Sequence, residues 1–166
     1  MPAPAALVQL FEPWAHLYSD SKVLPTVVVY AHIASLLFSG GLAVTIDRGT
    51  LRALRADDDE RHRHLEDLSA AHRIVVAGLA LSAITGLMLF TADLETYFVS
   101  PIFWTKAALI GVLLWNGYSM VRTERRIRAA SDDAGALWKR LRTAAIVSLL
   151  LWFAIPLLGV ALVNLG

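Results

Sequence analysis

The stretch VLPTVVVYAHIASLLFSGGLAVTI, Val23–Ile46, followed at once by Asp47 and Arg48, decides how the chain must fold. It contains no Asp, Glu, Lys or Arg. As a helix it is long enough to cross the roughly 30 Å of hydrocarbon in a bilayer. Three comparable runs follow, Ile74–Thr91, Ile102–Val121 and Thr143–Val163, and within the four only Lys106 brings a full charge. Leu, Ala and Val dominate, and no alternating strand pattern appears. Lipid offers backbone amides no partner, so such runs satisfy themselves as helices. The expected fold is all-α, a four-helix transmembrane bundle with helices over about 23–46, 72–92, 102–121 and 142–164, in one integral membrane domain, 1–166.

The charges between the runs set the orientation. Six basic residues (Arg48, Arg52, Arg55, Arg61, Arg63, Arg73) separate the first two runs, and seven (Arg122, Arg125, Arg126, Arg128, Lys139, Arg140, Arg142) separate the last two. The connection between the second and third runs has none, and Lys22 stands alone before the first. Basic connections stay cytoplasmic, which puts both termini on the outer, periplasmic side of a bacterial inner membrane.

Composition narrows the classes further. The chain is 57% hydrophobic and 17% charged, below the roughly 25% usual for soluble domains. Its net charge of +1 gives no reason to expect nucleic acid as a partner; the expected partners are the lipid bilayer and other membrane subunits. Without cysteine there are no disulfides, thiolate ligands or thioether-linked haem. Met1–Leu10 lacks a basic start, so no cleavable leader is expected. Phosphate-binding glycine loops, serine–histidine–acid patterns and paired intramembrane carboxylates are missing, which removes ordinary hydrolases and NTPases.

Outside the runs, Leu7, Leu10, Phe11, Trp14, Leu17 and Tyr18 repeat at helical spacing and suit an amphipathic segment on the outer surface or over the mouth of the bundle. Pro13 predicts a bend or break near Glu12. Acid-first pairs four apart, such as Asp57 with Arg61, make the first connection partly helical, and the charged segment around His62 and His64 reads as solvated. Ser131 with Asp132 and Asp133 reads as a helix N-cap, Trp138 with Lys139 and Arg140 as an interfacial anchor, and Pro156 as a kink.

Polar residues inside the runs are the candidates for function. His32, Ser35 and Ser39 share a face of the first run; Gly78, Ser82 and Gly86 form a small-residue face on the second. Placing Ile46 level with His72 at the cytoplasmic boundary sets His32 opposite Gly86. His72 then lies roughly 20 Å deeper, so the two histidines cannot share a metal. An intramembrane histidine needs a partner or a purpose, and a neutral ring bonded to a hydroxyl or carbonyl satisfies the first. Lys106 either snorkels to the outer interface or marks the rim of a pocket whose deeper wall includes His32, Thr85 and Gly86. Asn116 suits an interhelical hydrogen bond.

Several segments in order carry a resemblance: Ser21-Lys-Val-Leu-Pro25, His32, Gly40-Gly41, Asp47-Arg48, Thr85-Gly-Leu-Met-Leu-Phe90 and Ser100-Pro-Ile-Phe-Trp-Thr-Lys106, with Asn116 beyond. Over roughly residues 19–121 the chain resembles an uncharacterised family of small four-helix bacterial inner-membrane proteins. It is more distantly similar to the copper-resistance D-type membrane domain and to small membrane-bound protoporphyrinogen oxidases. The resemblance implies an outer-side pocket at His32 and Lys106, holding b-type haem by one likeness and handling copper by the other. The chain departs from both: the fuller histidine set and tryptophan-rich surroundings are missing, and Met88 and Met120 are far apart. The leading expectation is a tetrapyrrole-associated accessory subunit of a membrane redox complex. There His32 would be the metal ligand, and Lys106, Thr85, Gly86 and Ser35 would line the cofactor site. The alternatives are a copper or small-solute permeation protein with His32, Ser35 and Ser39 along a polar path, and a purely structural membrane subunit.

Overall fold

The computed structural model describes residues 3–129 and 134–165. Six helices account for nearly all of them: α1 (Ala5–Asp20), α2 (Val23–Ala53), α3 (Asp58–Ala92), α4 (Leu94–Val99), α5 (Pro101–Arg128) and α6 (Ala134–Leu165). There is no strand among the described residues. Three helical stretches, Val23–Ala53, Ala71–Ala92 and Gly135–Asn164, are long and apolar enough to cross a membrane. α5 is the fourth long helix; Lys106 and Asn116 interrupt its apolar run, and Arg125, Arg126 and Arg128 close its last turn, where cations suit the helix dipole.

The helices pair as two antiparallel hairpins, α2 with α3 and α5 with α6, joined chiefly by α2 against α6. Close approach within the first hairpin depends on Gly78, where an added Cβ would fall 2.8 Å from the Cβ of Ser39. α2 meets α6 where Gly40 lies under the Trp152 ring. By contrast, α3 and α5 scarcely touch. Outward faces carry Tyr30, Leu37, Phe38, Leu87, Trp115 and Phe153, while Ser35, Ser39, Asp47, Thr50, Ser82, Thr85 and Ser148 are buried. Apolar outside and small or polar inside is the arrangement expected of helices packed in lipid, where hydrophobicity does not drive helix association.

α1 packs on α3 and, less, on α2, with Trp14 Nε1 donating to the Met88 carbonyl at 3.0 Å. It runs unbroken through Pro13, so there is no break near Glu12. The carbonyl that Pro13 frees belongs to the exposed Gln9, where solvent can satisfy it. Likewise α6 continues through Pro156. At the end of the bundle that carries α4, Asp93 and Ser100 cap α4 and α5 by accepting from the amides of Thr96 and Phe103.

At the other end the helices run past the apolar runs and pack as an extension of the bundle. Ala53, Leu65, Met120, Trp138, Leu141, Ala144 and Ala145 make its core. The segment read as solvated is therefore the first part of α3, capped by Asp57, with Leu65 and Leu68 fully buried. The Arg61 guanidinium donates to the carbonyls of Ala53 and Leu54 at the end of α2 and lies over the Trp138 ring. Trp138 is accordingly a core residue of this extension rather than an interfacial anchor. The cap expected at Ser131, Asp132 and Asp133 lies outside the described residues.

Candidate functional site

The register set by the run boundaries places His32 against Gly86: a Cβ on Gly86 would sit 3.1 Å from His32 Cε1. A larger residue there would press on the imidazole, so glycine lets the ring come close to α3. The ring's Nδ1 then reaches the Ser82 carbonyl at 3.0 Å and the Thr85 hydroxyl at 3.1 Å. A carbonyl only accepts, so the bond to Ser82 places the proton on Nδ1 and leaves Nε2 as the nitrogen with a free electron pair. Thr85 is held in turn by its own helix, donating to the Leu81 carbonyl at 2.8 Å.

Ser35 and Ser39 do not join this cluster. Each hydroxyl donates back along α2, Ser35 to the His32 carbonyl and Ser39 to that of Ser35. Both are buried, and their role as seen is to let α3 approach. Lys106, half-buried on α5, extends towards α6; its Nζ lies 3.3 Å from where a Cβ on Gly159 would be. The bond from Asn116 Nδ2 to the Ala144 carbonyl, at 2.8 Å, sets the α5–α6 register. Gly159 then lies about 7 Å beyond the Lys106 backbone, away from the Asn116 level, so the side chain extends along α6 towards the end of the bundle that carries α4. Among the described residues no carboxylate forms an ion pair with Lys106.

A second polar group, which sequence reasoning missed, lies at the opposite end of the bundle, in the extension beyond the apolar runs. Glu124 is 3% exposed and binds Arg128 at 2.7 Å, with His72 Nδ1 at 3.9 Å from its other oxygen. Arg128 also donates to the Leu65 carbonyl on α3. Burial pushes the Glu124 carboxyl above its ordinary range, opposed by Arg128 and then His72. His72 is thus turned into the bundle as well as bonded to the Leu68 carbonyl. The available signal was Glu124 four residues before Arg128 on a face continuous with Leu113 and Met120.

Among the described residues no three His, Cys, Asp or Glu side chains gather as a metal-binding group. A bare copper or zinc ion therefore finds no complete donor set in them. A ligand bringing its own donor atoms makes a smaller demand, which one imidazole nitrogen can meet. No protein-family model, no curated protein and no solved structure matches this chain.

Proposed function

We propose that this is a bacterial inner-membrane protein of four transmembrane helices, with α5 completing the three more apolar spans and both termini on the outer side. Its outer-half pocket, formed by His32, Thr85, Gly86 and Lys106, binds a tetrapyrrole as an accessory subunit of a membrane redox complex. The observation that carries the reading is the fixed imidazole: with Nδ1 bonded to the Ser82 carbonyl, Nε2 is the nitrogen available to a metal. A tetrapyrrole supplies the metal and four nitrogens itself and asks the protein for an axial ligand and a cation for its acid groups. His32 and the unpaired Lys106 match those two demands, and Thr85 holds the ring in place.

The test is the absorbance of protein purified from haem-supplied cells, before and after reduction. A Soret band lost in His32→Ala and weakened in Lys106→Ala, with His72→Ala unchanged, is the expected result. Colourless wild-type protein overturns the tetrapyrrole reading. A second reading then stands on the same hydrogen bonds: His32 as a clamp joining α2 to α3, with loss of stability rather than colour in His32→Ala.

A further inference from the structure

Far from His32, the protein leaves one buried polar atom unserved. Among the described residues Asp47 Oδ2 is the buried side-chain oxygen that receives no hydrogen bond, although Asp47 is only 2% exposed. Such a group costs free energy unless something supplies a donor. Asp47 sits at the floor of a cleft of about 540 Å³ that opens along the loose α3–α5 seam. Val75, Leu79, Leu113 and Trp152 wall it with apolar surface. Ser148, buried on α6, faces the carboxyl. Val76, Leu114 and Tyr118 lie exposed at its lipid-side rim, and Arg122 and Arg125 lie exposed at its cytoplasmic rim.

We propose that this cleft binds a neutral, lipid-soluble molecule with an apolar body and one hydroxyl group, which donates to Asp47 Oδ2. Each element of that description has a cause. The walls and the lateral opening admit an apolar body from the membrane. The two guanidiniums at the rim disfavour a cation, and the carboxyl at the floor disfavours an anion. Asp47 Oδ2 has almost no accessible surface of its own, so at most a slim hydroxyl tip, and no bulky polar head, can come up against it. The chemical class is an alkylphenol or a long-chain alcohol. The site lies 15 residues from His32 along α2, a rise of about 22 Å. It stands or falls independently of the outer pocket.

Binding to the full-length protein in lipid nanodiscs tests it, with 4-nonylphenol and 1-decanol each compared with its methyl ether. The ethers keep the apolar body and lack the donor. At least one hydroxyl compound should bind about tenfold more tightly than its ether, the worth of one hydrogen bond to a carboxylate; which of the two does so identifies the source. Asp47→Ala should bring that ratio to about one, and His32→Ala should leave it unchanged. Gly117→Phe puts a ring into the cleft from a lining position where a Cβ meets nothing within 4 Å. It should weaken both members of a pair about tenfold. Equal binding of hydroxyl compounds and ethers by wild type would mean that no ligand hydroxyl reaches Asp47, and it overturns the proposal. A preference kept by Asp47→Ala, or tight binding kept by Gly117→Phe, overturns it too.

Discussion

Gly78 and Gly111 differ only in what surrounds them, and that difference is measurable. A side chain at Gly78 meets the Ser39 Cβ at 2.8 Å and the Ser35 carbonyl at 3.5 Å, whereas one at Gly111 meets nothing within 4 Å. Gly78→Leu should therefore cost about 1–3 kcal/mol by overpacking, and Gly111→Leu should stay within about 0.5 kcal/mol of wild type. Thermal unfolding in one detergent would check both, and equal stabilities would mean that α2 and α3 do not pack on that face. The contact of His32 with Gly86 was legible in the sequence because the run boundaries alone fix the register of a hairpin. The burial of Asp47 was not. As a residue it marks where an apolar run ends, and whether it turns inward depends on Ser148 and Trp152, a hundred residues away along the chain.

For the helices, legibility followed apolar length. The runs at the centres of α2, α3, α5 and α6 are visible as long uncharged stretches; the helical start of α3 was legible from its acid-first pairs, but its packing was not. The first part of α3 is dense in charge, and among its described side chains those buried are Leu65 and Leu68. So short a signal is outweighed by the acids and arginines around it. Within the extension Glu124 ties α5 to α3 through Arg128 and His72. Glu124→Ala would leave the guanidinium without its carboxylate and should cost about 1–3 kcal/mol in thermal unfolding. Its protonation has a definite sign. A carboxyl whose folded pKa is raised above the ordinary 4.5 is bound more tightly by a proton in the folded state. Its contribution is full below the ordinary value and is lost as the pH rises through the raised one. Wild type should thus lose stability relative to Glu124→Gln as pH rises from about 4.5. A constant difference between the two across that interval would assign Glu124 no such linkage.

Across the whole molecule, the basic residues of two separate connections collect at one end, and the connection through α4 at the other end carries none. The chain has no cysteine, so single cysteines report cleanly on sidedness. Thr96→Cys, exposed on α4, should react with an impermeant maleimide on intact spheroplasts, and Arg55→Cys only after permeabilisation. Labelling of both from outside would reverse the orientation and with it the depths of His32 and Asp47. The weak α3–α5 seam bears on how the protein is made. The N-terminal hairpin holds its own close contacts at Gly78 and Gly86, and the C-terminal hairpin holds its own through Asn116. Each can therefore form as it leaves the ribosome, and the last event is the docking of α6 on α2. Two polypeptides divided between Ala92 and Asp93, made in the same cell, should find each other in the membrane and copurify.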